Sequence, residues 1–303
     1  MNYTFTSIEK CNMCNAPAAE ARVLGKRMNR SQGSRPTKKI GISTTVVRCR
    51  RCNLIYSNPM PIPADIGQHY GTPPESYWKP AYFTIDPDYF KHQIDTFFKL
   101  SAKQSELRAL DVGAGIGKCM ISLSNRGFDA YGFEPSEPFY QRALGKDMNI
   151  SPDKLQLSTL EDVEYPPQYF DFITFGAVLE HVYDPSAAIL KTMKWLKPDG
   201  LIHIEVPSSA WLTNKIQNFI YRLQGLDYVG NISPMHPPFH LHEFGLKSFQ
   251  EHARQHKYEL AFHKFMVCST YLPKVLDPVV KPFMAKTNTG MQLEVWLRKR
   301  AKS

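Results

Sequence analysis

The chain has 303 residues, 43% of them apolar, enough for one full α/β core plus a smaller module, which excludes an intrinsically disordered chain. Its formal net charge is +9, yet residues 1–60 hold 11 Lys/Arg against two Asp/Glu, so the basic excess is confined to the N-terminal stretch and the remainder is neutral. No apolar run reaches the about 18 residues of a membrane span, and MNYTFTSIEK lacks the basic-then-apolar order of a secretory signal, so a soluble, cytoplasmic protein is expected.

Six cysteines are too few for a disulfide scaffold of this size, and four of them fall in the pairs Cys11-x-x-Cys14 and Cys49-x-x-Cys52. Each pair fits a knuckle, a tight turn in which two thiolates face one ion. Two knuckles predict a closed, tetrahedral, structural zinc site without an open position for water. Residues 1–58 are therefore assigned as a zinc-binding module whose folding is coupled to metal binding, with Cys119 and Cys268 taking no part. Between the pairs, GKRMNRSQGSRPTKK reads as an extended basic loop. It either offsets the formal charge of about −2 on a four-thiolate zinc centre or attracts a nucleic acid, a phosphorylated substrate or an anionic membrane surface.

The Pro-rich run SNPMPIPADIGQHYGTPPES marks a linker, and residues 59–106 are assigned as linker plus a helical and aromatic cap. That cap contains Tyr77, Trp78, Tyr82 and Phe83, placed to close over a substrate. A helix follows, with Phe90, Ile94, Phe97, Phe98 and Leu100 near helical spacing.

From residue 107 to 303 short apolar runs alternate with helical patterns, which predicts an α/β domain built on a parallel sheet. Strands are placed at RALDVG, DAYGFE, KLQLS, FDFITFG, LIHIEVP, LAFHKFMVCS and MQLEVWLRK; helices fall at about 116–126, 136–145 and 185–196, the last stopped by KPDG. An insertion spans about 208–245, and within it Leu212, Ile216, Phe219, Ile220 and Leu223 share one helical face, read as core-facing.

The strand-to-helix turn LDVGAGIGKC leaves backbone bare at Gly113, Gly115 and Gly117, ahead of a helix N-terminus with open amides. A dinucleotide fingerprint would want a glycine three residues after Gly115, where Lys118 stands, and Asp111 at the strand end can meet a cationic ammonium. Both features favour S-adenosylmethionine over NAD. Glu134 ends the next strand, 19 residues after Gly115, where a carboxylate can accept both hydrogen bonds of a ribose diol.

Taken together, DVGAGIG, GFEPS, FDFITFGAVLEHVYDP and LKPDGLIHIEVP resemble successive motifs of class I S-adenosylmethionine-dependent methyltransferases, over roughly residues 107–207. The resemblance implies a Rossmann-like sheet, mostly parallel with an antiparallel last strand and helices on both faces. It also implies that Asp111, Gly113 and Gly115 hold the methionine part of the cofactor and Glu134 the ribose. Thr159, Leu160 and Glu161 would border the adenine, and Gly176 with Ala177 would line the pocket beneath the sulfonium. The stretch VVRCRRCNLIYSNPMP resembles a zinc-bearing subgroup among bacterial sugar and glycan methyltransferases.

Methyl transfer from a sulfonium is an in-line displacement, so the protein must align the acceptor and, for a hydroxyl, remove its proton. His181 is the first candidate base, with Glu180 orienting it or closing the cofactor pocket. The segment HPPFHLHEF adds His236, His240, His242 and Glu243, of which His240 is the second catalytic candidate; the cluster also has the ligand types of a metal site. The expected activity is methylation of a small-molecule or glycan acceptor, a sugar hydroxyl foremost, with phosphorylated and nucleotide-linked forms included. The alternative is an RNA methyltransferase whose basic zinc module docks nucleic acid. Against it, basic residues 20–51 are not interleaved with aromatics that would stack on bases.

Overall fold

A computed structural model describes residues 3–28, 41–64, 80–148, 150–236 and 240–300. Tyr77, Trp78, residues 29–40 of the basic stretch and residues 237–239 of the histidine segment lie outside the described residues.

The N-terminal stretch contains β1 (Tyr3–Thr6), β2 (Arg22–Met28), β3 (Ser43–Arg48), β4 (Ile55–Ser57) and β5 (Met60–Pro63). Strand β1 pairs with β5, while β2, β3 and β4 form an antiparallel ladder. The expectation of an extended basic loop from Gly25 onward is corrected at its start. Lys26 and Arg27 lie opposite Thr45 and Thr44 in that ladder, because β-branched partners on β3 draw the segment into pairing, and Arg27 is fully buried.

The remaining elements are α1 (Lys91–Leu100), β6 (Leu107–Val112), α2 (Lys118–Asn125), β7 (Phe128–Glu134), α3 (Glu137–Ala143), β8 (Leu155–Leu157), β9 (Phe170–Gly176), α4 (Pro185–Trp195), β10 (Leu196–Pro207), α5 (Leu212–Leu223), β11 (His242–Glu243), α6 (Leu246–Gln255), β12 (Tyr258–Met266), α7 (Asp277–Lys286) and β13 (Gln292–Lys299). Seven strands form one sheet in the order β12-β13-β10-β9-β6-β7-β8. Neighbours from β10 to β8 run parallel, and β13 runs antiparallel to both its neighbours. This is the Rossmann-like methyltransferase sheet, and its last strand is the antiparallel one, as expected. Among the described residues no helix is long and apolar enough to cross a membrane.

Both faces of the sheet carry core. On one, Phe97, Phe128, Phe172 and Trp296 pack together, with Phe172 and Trp296 stacked at 5.5 Å. On the other, Phe170, Ile173, Trp195 and Ile204 are continuous with Cys11, Cys14, Cys49, Cys52, Tyr56 and Phe249. The cysteine region is thus joined to the large sheet's core. Strand β4 also pairs with β11, Ser248 Oγ donates to the Cys52 carbonyl at 2.9 Å, and Gln255 Nε2 donates to that of Cys14 at 3.2 Å.

Two expectations are corrected. The helix placed at 185–196 ends at Trp195, and KPDG belongs to the start of β10, where a register shift between Leu196 and Leu201 accommodates Pro198. The apolar face of α5 is not core: Ile216, Phe219, Ile220 and Leu223 are all exposed, while Asn214 and Tyr221 are buried. The physical reason is a polar seam. Asn218 Oδ1 accepts the Gly230 N–H at 2.9 Å, and Asn231 Nδ2 donates to Asn214 Oδ1 at 2.9 Å, so hydrogen bonds hold the inner face of the helix.

Candidate cofactor and acceptor site

The site lies along the carboxyl edge of the sheet, where open α/β folds receive ligands. Strand β6 delivers Asp111 and then the glycine turn. Gly113 has φ +67°, and a Cβ there would stand 2.8 Å from Val178 Cγ2, so only glycine lets this turn press against the segment that follows β9. Glu134, ending β7, reaches across: its Oε2 accepts the Gly115 N–H at 2.8 Å and its Oε1 the Ser136 N–H at 2.9 Å. Each carboxylate oxygen keeps a further lone pair for a diol.

Burial raises the pKa of Asp111 to about 8 and that of Glu134 to about 7. The Glu134 charge opposes ionisation of Asp111, and the two amides favour ionisation of Glu134. Among the described residues neither acid has a cationic partner, and buried acids of this kind fit a positively charged ligand. At the floor, nothing among the described residues lies within 4 Å of where a Gly176 Cβ would stand, and both it and Ala177 are exposed. Of the three residues placed at the adenine edge, Thr159 Oγ1 donates to Asp162 Oδ2 at 2.7 Å, Leu160 is buried in the core and Glu161 is exposed.

Two residues of the aromatic cap close the turn from above. The Tyr82 hydroxyl lies 3.6 Å from where a Gly115 Cβ would stand. The Lys118 ammonium donates to the Tyr82 carbonyl at 3.0 Å and sits over the rings of Tyr82 and Tyr89. Lys118, which breaks the dinucleotide pattern, is thus the post that holds the cap on the turn.

Beyond β9 the chain brings Glu180, His181 and His240 together. The His181 and His240 rings meet edge-on at 4.5 Å, and the Glu180 carbonyl accepts the N–H groups of Leu241 and His242. Ser233 Oγ donates its one proton to the His242 carbonyl at 2.8 Å, so His240 Nδ1, also 2.8 Å from that oxygen, must donate to it. The tautomer follows: the neutral His240 ring holds its proton on Nδ1 and presents Nε2 as an acceptor. Burial, with His181 and His236 nearby, holds its pKa well below the ordinary histidine value.

Not all of the histidine segment joins this site. His242 is fully buried in β11, and Glu243 is turned to Ser233, whose N–H it accepts at 2.6 Å. A four-ligand site from His236, His240, His242 and Glu243 is therefore corrected; the pairing of β11 with β4 buries the last two. Sequence reading missed Ser233 and Glu205. Ser233 carries no local signal. Glu205 has one, being an acid near the end of an apolar strand like Asp111 and Glu134; burial raises its pKa to about 7.

At the N-terminus the four thiols converge. Cys11 and Cys52 Sγ atoms are 3.5 Å apart, as are those of Cys14 and Cys49, and all four lie within 4.8 Å of one another. A tetrahedron of thiolates about 2.3 Å from zinc has edges of about 3.8 Å, so the spacing fits that ion. Both knuckles are built alike. Asn15 and Asn53 take left-handed φ of 58° and 64°, and their amides donate to the Cys11 and Cys49 carbonyls at 2.9 and 3.0 Å.

A parallel sheet closed by one antiparallel strand, with a glycine turn after its first domain strand and acids at neighbouring strand ends, defines the class as Rossmann-like methyltransferase. The chain belongs to the methyltransferase-domain family, matched over residues 83–261. It is 30% identical over 166 residues to a ubiquinone biosynthesis O-methyltransferase of Marinobacter nauticus, covering 53% of this chain and 65% of that one. With the protein of the same name from Rhodopseudomonas palustris it shares 26% over 155 residues, or 47% and 59% of the two chains. This chain therefore spans about 65% and 59% of the length of these relatives. A solved Listeria monocytogenes protein, provisionally assigned as an S-adenosylmethionine-dependent methyltransferase, superimposes with a TM-score of 0.50 at 14% identity, over 71% of this chain and 100% of that one.

Proposed function

We propose that the chain is an S-adenosylmethionine-dependent O-methyltransferase acting on a hydroxyl of a small molecule, with a sugar hydroxyl as the favoured acceptor. Bound over the glycine turn, the cofactor supplies a methyl group on a sulfonium. Asp111 receives its ammonium and Glu134 its ribose diol, while Thr159, Leu160 and Glu161 border the base. Gly176 and Ala177 leave space beneath the reacting centre, and Tyr82 with Tyr89 excludes water from above. The observation that carries the reading is the His181–His240 pair just beyond β9, in which Nε2 of His240 is set as an acceptor. We assign proton removal to that nitrogen, with His181 beside it and Glu180 as their buried support. To Cys11, Cys14, Cys49 and Cys52 we assign a structural zinc ion.

Support for hydroxyl chemistry comes from the two relatives named as O-methyltransferases. The test is uptake of labelled methyl from S-adenosylmethionine by purified full-length protein, offered nucleotide-linked sugars, polyphenols and bulk RNA in parallel. Label in a hydroxyl of a small molecule is the expected result. Label in RNA alone overturns the reading in favour of the nucleic-acid alternative.

A second reading of the pair rests on one observation. Glu180, His181 and His240 each bring one ligand atom within 4.8 Å of the other two, and among the described residues Glu180 Oε2 is buried without a hydrogen-bond partner. Two imidazoles and a carboxylate suit a divalent cation that would hold the acceptor oxygen. If the base reading is right, dialysis against a chelator that leaves the thiolate zinc in place lowers turnover less than about twofold. A loss of an order of magnitude, restored by added Mg²⁺ or Mn²⁺, moves the site to the metal reading.

One prediction concerns the ribose contact. Glu134→Ala is expected to weaken S-adenosylmethionine binding by about 1.5–3 kcal/mol, the worth of hydrogen bonds to a charged group. Calorimetry on the variant checks it; a change under about threefold removes Glu134 from the cofactor site.

A further inference from the structure

Ser233 joins two regions. Its Oγ touches His240, and its N–H reaches Glu243, which lines a separate cavity of about 220 Å³ between the β2–β4 ladder and α5. Four cations line that cavity: Arg22, Arg48, Lys215 and Arg222. Glu243 is the one acid among the lining residues, so the cations outnumber it four to one. None of the four forms a salt bridge to a carboxylate among the described residues, and Arg48 Nε is buried without a hydrogen-bond partner.

A cluster of this kind is costly without a ligand. The pKa of Arg222 is lowered by burial and by the neighbouring Arg22. Glu243, the one acid at the cavity, offsets part of this positive charge and leaves an excess of cations. Mutually repelling cations around a concave space bind a multiply charged anion by charge-assisted hydrogen bonds, and a guanidinium fork matches phosphate oxygens. A nucleic-acid backbone would instead require a track of cations along an open surface.

We propose that this cavity is a phosphate subsite for the methyl acceptor, taking a phosphate or diphosphate group of a small molecule whose hydroxyl reaches the histidine pair. The inference rests on the methyltransferase reading above and narrows its substrate class to phosphorylated small molecules. The location supports it, since one residue, Ser233, contacts both Glu243 at the cavity and His240 at the pair.

The experiment is calorimetric titration of full-length protein with inorganic pyrophosphate, with S-adenosylmethionine titrated on the same samples. Wild type is expected to bind pyrophosphate, and Arg48→Ala and Arg222→Ala each to weaken that binding by about tenfold or more, with Arg222→Lys, which keeps the charge but loses the fork, weakening it less than Arg222→Ala. Cofactor affinity in these variants is expected to match wild type, which separates loss of the subsite from loss of the fold. Pyrophosphate that does not bind, or that binds wild type and Arg48→Ala equally, overturns the subsite while normal cofactor binding leaves the methyltransferase reading standing. Cofactor that fails to bind wild type overturns that reading itself. Single-stranded RNA that binds in an Arg48-dependent way while pyrophosphate does not also overturns the proposal, in favour of a nucleic-acid surface.

Discussion

Cys49→Ser is expected to abolish zinc binding and to lower the stability of the whole protein, not of the N-terminal stretch alone. Structural zinc contributes about 10–16 kcal/mol to the folding of small zinc-binding peptides, comparable with the entire stability margin of about 5–15 kcal/mol of an ordinary domain. Here the four cysteines belong to the same buried cluster as Phe170, Ile173 and Trp195 of the large sheet. The knuckle carbonyls also accept hydrogen bonds from Ser248 and Gln255 on α6. Loss of the ion therefore loosens β4, β11 and α6 together. Elemental analysis should find one zinc per wild-type chain and less than a tenth of that in the variant, with a melting temperature lower by well over about 10 °C. Cys268→Ser, at an exposed cysteine, should keep both zinc and stability. Freshly reduced wild-type protein without metal would refute the assignment.

The second large effect is catalytic. His240→Ala should lower kcat by roughly 10²- to 10⁴-fold, the usual range for a general base, while cofactor affinity stays within a few-fold, because the ring acts on the acceptor. His240→Asn should be equally slow, since an amide nitrogen has no free lone pair. Ser233→Ala, which releases the Nδ1 proton from its acceptor and frees the ring to change tautomer, should cost less than loss of the ring itself. If His240→Ala turns over within a few-fold of wild type and His181→Ala collapses instead, the base is His181. If both variants remain active, the acceptor needs no base and the hydroxyl reading fails.

Much of the sheet was legible in the sequence because its strands are continuous apolar runs, and a strand buried on both faces has few other options. The placement of Asp111 and Glu134 near the ends of neighbouring strands, and of the glycine turn after Asp111, was legible for the same reason: each closes a continuous apolar run. The knuckles announced themselves by spacing. What could not be read was long-range pairing. The sequence shows no sign that Ile55–Ser57 pairs with His242–Glu243, 187 residues on from Ile55 to His242, yet that pairing turns Glu243 away from the histidines and towards the cationic cavity. Nor does the apolar stripe of α5 show that asparagines hold its inner face, because a side-chain hydrogen-bond seam leaves no periodic signature. Lys118 was read only as a missing glycine. Its cation–π contacts with two tyrosines from the preceding segment depend on tertiary placement.

The central claim is that the glycine turn with Asp111 and Glu134 binds S-adenosylmethionine, and calorimetric titration across pH tests it most directly. In the ligand-free fold both carboxyls have raised pKa values, about 8 and about 7, so each holds a proton over part of the range below those values. A cationic ligand needs them ionised and releases those protons on binding. Affinity should therefore strengthen as pH rises through 6 to 8 and weaken as it falls, by on the order of tenfold over that interval. The account predicts micromolar binding of S-adenosylmethionine at pH 8, this sign of pH dependence, and no binding of NAD. Binding of NAD without S-adenosylmethionine, or cofactor affinity that strengthens as pH falls from 8 to 6, would contradict it.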